Sequence, residues 1–211
     1  MSDPVARGPI AVASPAWLTA GWSVSGRRSS ASLTLADWTP RAKVLVRSSP
    51  QGTVAQALGV ECGQARRVPD GTLVIRPGPD EWLLFGPPGT APGLVEQWEG
   101  VAGDDHTTVV DVTSGRALLR LTGNRVPDVL AKLCAVDAHA ATDSTVFRSA
   151  VAGVVTEVVR DDGPGPERSY LLAFDWSFGQ YLFDALLDAG GEFGVQVNGF
   201  FLEEDRSQGA V

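Results

Sequence analysis

The sequence predicts an α+β protein made of two similar halves. Three observations lead there. Stretches of alternating apolar residues take turns with stretches of helical spacing. The order strand, helix, strand, strand, helix, strand occurs twice, which is the order of the ferredoxin-like split β-α-β unit, with antiparallel sheets. Hydrophobic residues make up 44% of the 211 positions, enough for a buried core.

The first 32 residues are rich in Ser, Gly, Ala and Pro and read as a flexible, loosely ordered arm. Residues 33–113 form the first ferredoxin-like subdomain. Lys43–Arg47 is a strand, and Thr53–Gly59 is a short helix closed by its glycine. Gly71–Arg76 and Glu81–Gly86 pair as a hairpin across a turn at Pro77-Gly78-Pro79-Asp80. Gly93–Trp98 is helical and Thr107–Val112 closes the series as a strand.

Residues 114–200 form the second subdomain, and 201–211 are a tail. Arg116–Thr122 is a strand ending at Gly123. Arg125–Leu133 is a helix with Pro127 in its first turn, where a missing N–H costs least. Val126, Val129, Leu130 and Leu133 share one of its faces. Thr145–Ala150, Val154–Arg160 and Arg168–Phe174 are strands. Ser177–Ala189 is an amphipathic helix, and Phe193–Val197 a last strand.

Composition excludes several functions. A net charge of −8, from 17 basic and 25 acidic residues, argues against non-specific nucleic-acid binding. The doublets Arg27-Arg28 and Arg66-Arg67 read as solvated surface. No apolar run approaches the ~20 residues of a spanning helix, and the apolar stretch Pro9–Leu18 lacks a basic leader and is broken by prolines. Cys62 and Cys134 read as two small buried thiols in a reducing cytoplasm. The two histidines, His106 and His139, make no metal spacing with them.

No catalytic set emerges. Thr113-Ser114-Gly115 is a turn, not a nucleophile elbow, and Gly163-Pro164-Gly165-Pro166 is a loop whose prolines remove the donors a phosphate cradle needs. The carboxylate pairs Asp104-Asp105, Asp161-Asp162 and Glu203-Glu204-Asp205 read as loop residues pointing apart into solvent. Cys134, Asp137 and His139 read as a helix end and the turn after it. Six tryptophans are a generous supply for a chain of this size. Tryptophan anchors interfaces as well as cores, and the two roles weigh equally for Trp98 and Trp176.

Four stretches resemble the gamma subunit of heterotetrameric sarcosine oxidase. They are Arg76–Leu84, Asp111–Gly123, Asp128–His139 and, more weakly, Trp176–Leu182, where the family usually carries Arg at the position of Trp176. The resemblance implies a fold similar to the amino-terminal part of the glycine-cleavage aminomethyltransferase, in a superfamily of folate-binding domains. It implies a complex that oxidatively demethylates sarcosine to glycine, with tetrahydrofolate as one-carbon acceptor. FAD, FMN, NAD, zinc and tetrahydrofolate would be held by the other subunits, and none by this chain. Its role would be contact with those subunits, chiefly alpha, in the cytoplasm. Trp82, Trp98, Arg116 and Trp176 are the expected contact residues. Arg116 is named because Asp111–Gly123 is the best-matched stretch, and a charged strand residue beside a turn can face a partner. A stand-alone folate-binding or one-carbon transfer protein, and a dimerising scaffold without ligand, are the competing readings.

Overall fold

The computed structural model describes residues 5–103, 106–163 and 165–201. The carboxylates at 104–105 and 203–205, Pro164 and most of the tail lie outside them. The chain opens with β1 (Ala6–Arg7), β2 (Ala16–Thr19) and β3 (Trp22–Ser25), a small sheet in the order β1-β3-β2. The expected loose arm thus carries regular pairing, and Ile10 and Val24 from it are buried.

Two larger sheets follow. The elements are β4 (Thr34–Asp37), β5 (Ala42–Arg47), α1 (Thr53–Leu58), β6 (Ala65–Arg67), β7 (Leu73–Gly78), β8 (Glu81–Gly86), α2 (Ala91–Ala102) and β9 (Thr108–Asp111). Then come β10 (Arg116–Thr122), α3 (Val126–Leu133), β11 (Val146–Val151), β12 (Val154–Arg160), β13 (Ser169–Asp175), α4 (Gly179–Gly190) and β14 (Gln196–Asn198). One sheet has the order β6-β7-β8-β5-β9, the other β11-β12-β13-β10-β4-β14. In the first, β5 and β7 both run antiparallel to β8 between them. In the second, β10 and β12 flank β13 in the same way. In the first sheet the expected strands β5, β7, β8 and β9 lie together, with β6 added at the edge; in the second, the expected strand β11 forms the edge and β4 stands between β10 and β14.

The halves are not separated at residue 33. β4 pairs with β10, Leu35 opposite Leu121, and so belongs to the second sheet although it precedes the first. Its Leu33 and Leu35 neighbours pack among Leu119, Val129 and Leu186 beneath α3 and α4. Alternation along four residues tells which face is buried, not which sheet receives the strand.

The period of two sorts each strand between layers. Val74, Trp82 and Leu84 face α1 and α2, while Ile75, Leu83 and Phe85 face the other sheet. There they meet Leu118, Val159 and Leu171. Leu119, Val158 and Leu172 turn the other way, to α3 and α4. The result is four layers, helices outside and two sheets back to back. Full burial of each such side chain is worth about 1.5–3 kcal/mol.

Two local devices were legible. Gly59 adopts φ +57° and ends α1, its N–H reaching the Ala55 carbonyl at 3.0 Å. Gly123 adopts φ +140° at the end of β10, where an added Cβ would lie 2.2 Å from the Ser32 carbonyl. The hairpin turn is shorter than expected, because β7 runs on through Gly78. The helix after β13 begins as a 3₁₀ turn over Trp176–Phe178. Cys62 is exposed rather than buried, since it follows α1 on a surface turn.

Candidate partner-contact site

The four expected contact residues divide into two pairs. Trp82 is 0% exposed and Trp98 8%, both packed between the first sheet and its helices. Trp82 has no accessible surface with which to touch a partner and Trp98 little, and both belong to the core. Trp82 sits on the helix-facing parity of β8, and Trp98 on the inward face of α2. The Trp82 indole N–H has no acceptor, and the Arg76 guanidinium stacks 4.6 Å from its ring.

Arg116 and Trp176 are brought together. Arg116 opens β10 opposite Asp175, the last residue of β13, and the Trp176 N–H donates to the Gly115 carbonyl at 3.1 Å. The Asp175 carboxylate accepts the Ser177 N–H at 2.9 Å, which caps the 3₁₀ turn. The Ser177 hydroxyl donates to the same carboxylate at 2.5 Å, and this bond first and the backbone bond second hold the Asp175 carboxyl below its usual range. The Trp176 ring lies 6.1 Å from that of Trp22 on β3. The arm continues over the start of α4, where the Ala11 N–H donates to Gln180 Oε1 at 2.7 Å and Pro9 covers Gly179. Phe178 and Tyr181, 45% and 55% exposed, extend this aromatic surface.

Arg116 does not point straight outward. Together with Leu118 and Arg120 it faces the other sheet, as alternate residues of a strand must. The apolar layer between the sheets ends near Leu83 and Leu45, and the sheets then open into a cleft of about 290 Å³. Charged side chains line it. Arg116 Nη2 donates to the Glu157 carboxylate and, at 3.2 Å, to the Ala173 carbonyl. Arg148 Nε donates to Glu157 at 2.8 Å, and its Nη2 to Glu81. Arg47 donates to Glu81 at 2.9 Å. Burial lowers the Arg116 pKa, and the neighbouring Arg148 charge lowers it further, against Glu81 and Asp175.

A second buried charge lies deeper between the sheets. The Lys43 ammonium is fully enclosed and donates to the Thr39 and Arg41 carbonyls at 2.6 and 2.8 Å. Burial pushes its pKa down to about 7, opposed by Asp37 and Asp111 and reinforced by Arg116. Burial also raises Asp37, against its bonds from Thr39 and the Lys43 charge. Beyond them Asp161 accepts from Arg67 and Arg120. Asp161 and Arg67 are thus structural partners, where a loop carboxylate and a solvated arginine were expected. Asp162 turns away from Asp161, to Arg160. Cys134, Asp137 and His139 close a turn, with the Asp137 carboxylate on the His139 N–H at 2.9 Å. Among the described residues, no three His, Cys, Asp or Glu side chains gather as a metal site.

Sequence reasoning missed Arg47, Glu81, Arg148 and Glu157. The signal was present as charge on one parity of otherwise apolar strands: Lys43-x-Leu45-x-Arg47 and Arg116-x-Leu118-x-Arg120.

A family model described as "Sarcosine oxidase, gamma subunit family" matches residues 48–192. The chain belongs to this family. Two relatives named sarcosine oxidase subunit gamma align with it. That of an Arthrobacter species is 33% identical over 96 residues, 44% of this chain and 46% of that protein. That of Corynebacterium sp. (strain P-1) is 30% identical over 140 residues, 65% of this chain and 64% of that protein. The matches thus span less than two thirds of either gamma relative. A chain of the heterotetrameric sarcosine oxidase from Corynebacterium sp. U-96 superposes with a TM-score of 0.68 at 24% identity, covering 81% of this chain and 90% of that one. The glycine cleavage system aminomethyltransferase T from Bartonella henselae superposes with a TM-score of 0.67 at 18% identity, covering 87% of this chain and 55% of that one. These two likenesses establish an aminomethyltransferase-like fold for this gamma-family chain. The matched span includes Arg116, Trp176 and four of the five cleft charges, and leaves out β1–β5, with Arg47, and β14.

Proposed function

We propose that the chain is a non-catalytic assembly subunit of a heterotetrameric sarcosine oxidase. The observation that carries this reading is membership of the gamma subunit family over residues 48–192. The complex would oxidatively demethylate sarcosine to glycine, with tetrahydrofolate as the one-carbon acceptor. FAD, FMN, NAD, zinc and tetrahydrofolate belong on the other subunits. The chief partner is the alpha subunit and the compartment is the cytoplasm. No helix among the described residues is long and apolar enough to cross a membrane.

The contact surface in this reading is the end of the molecule that carries Arg116 and Trp176, with Trp22, Phe178 and Tyr181 beside them. Large, partly exposed aromatic side chains supply the contact area that interface anchors use. Affinity purification of the tagged full chain from its native cytoplasm provides the test. Recovery of a flavin-absorbing complex at fixed stoichiometry is the expected result. Recovery of the chain alone would overturn the reading.

A further inference from the structure

Three guanidinium groups, from Arg47 on β5, Arg116 on β10 and Arg148 on β11, reach one cleft from both sheets. Only Glu81 and Glu157 answer them within the lining. All four of their carboxylate oxygens are already engaged, Glu81 by Arg47 and Arg148, Glu157 by Arg148 and Arg116. Each arginine carries five N–H donors, so the cleft is rich in donors and poor in acceptors. Arg116 Nε is buried and has no acceptor at all. Asp175 lies outside the lining and its carboxylate accepts from Ser177, so its charge acts on Arg116 but it supplies no acceptor inside the cleft. Three arginines against two glutamates leave one positive charge in excess among the lining residues.

We propose that this cleft binds a carboxylate carried on a short apolar body. The excess of one charge suits a monoanion, whereas a phosphate dianion would bring surplus negative charge beside two glutamates. A planar carboxylate matches the guanidinium fork, with two oxygens for two parallel N–H donors. The walls are apolar: Leu45 and Leu83 at the back, Val112 and Val155 at the side. Val155 is 64% exposed at the rim, on a face of β12 that otherwise points at the first sheet. The room, about 290 Å³, is at the lower end of small-molecule sites. A free small carboxylate and an aspartate or glutamate side chain of a partner chain bring this same chemistry. The proposal does not rest on the subunit reading.

The purified full chain is titrated with butyrate at constant ionic strength, with butylamine and inorganic phosphate as controls, and followed by NMR chemical shifts. Saturable shifts at β5, β10 and β11 with butyrate alone are the expected result. Arg47→Gln, at the exposed rim, weakens binding about tenfold, as does Arg116→Gln. Absence of saturation up to about 0.1 M, equal response to the controls, or unchanged binding in Arg47→Gln overturns the proposal. The same titration on the chain within its purified complex tells the sources apart. Retained butyrate binding identifies a free ligand, and lost binding identifies a partner's acidic side chain already in place. Recovery of the chain without partners would overturn the subunit reading and leave the titration of the chain itself decisive.

Discussion

Arg67 Nη2 stands 2.7 and 2.8 Å from the two carboxylate oxygens of Asp161, tying an edge strand of the first sheet to the end of β12 in the second. Arg120 reaches the same carboxylate at 3.3 Å and the Asp161 carbonyl at 3.0 Å, with its guanidinium over the Trp38 ring. We predict that Asp161→Ala costs about 3–5 kcal/mol in urea unfolding, because it strips a shared counter-charge from a buried arginine. Arg67→Ala costs about 1 kcal/mol or less, since the Arg67 side chain is 35% exposed and water replaces part of what is lost. Equal costs for the two variants would contradict this account of the inter-sheet tie.

The tryptophans should separate stability from assembly. Trp82→Ala removes a fully buried ring and should cost about 3–5 kcal/mol. Trp82→Phe should cost much less, because it keeps an aromatic ring and also removes an indole N–H that has no acceptor. Trp176→Ala should shift the melting temperature little yet reduce recovery of partner subunits. Its ring is half-buried and lies against the Trp22 ring. Pull-down yield against melting temperature for the three variants is the measurement.

Lys43 should leave a signature in the pH dependence of stability. Its folded pKa is near 7 and its ordinary value is 10.5. Between those values the unfolded chain holds a proton that the folded chain has released. Stability therefore rises with pH across that window, with a slope of up to about 1.4 kcal/mol per pH unit. Below pH 7 both states are protonated at this site and the slope vanishes. The raised Asp37 pKa acts with the opposite sign, its contribution lost as pH rises from the acid range that begins at 3.8. Urea midpoints between pH 7 and 9 should climb in the parent chain and stay flat in Lys43→Met.

Gly123→Ala should destabilise by at least about 3 kcal/mol. The residue holds φ +140°, and an added Cβ would meet the Ser32 carbonyl at 2.2 Å and the Leu33 backbone at 3.0 Å. That contact is where β10 passes the start of β4. A loss below 1 kcal/mol would show that the crossing is looser than this.

The sequence by itself determined the local elements and their order. The spacing of Val126, Val129 and Leu130 marked the buried face of α3, Gly59 and Gly123 marked ends, and the runs at Glu81–Gly86 and Arg116–Thr122 marked strands at their observed bounds. These features depend on neighbours within a turn or a pleat, and periodicity reports such neighbours. Motif resemblance added the family. Tertiary structure decided the rest. Whether Trp82 met solvent depended on which parity of β8 the helices covered. β4 could join either sheet until Leu33 and Leu35 found the space under α3 and α4. The arm gained its strands by pairing with itself and packing on Gly179 and Trp176. Glu81, Arg116, Arg148 and Glu157 lie on β8, β10, β11 and β12, 9 to 76 residues apart in sequence. Their meeting is set by how two sheets stack, and a one-dimensional period carries no record of a contact between sheets.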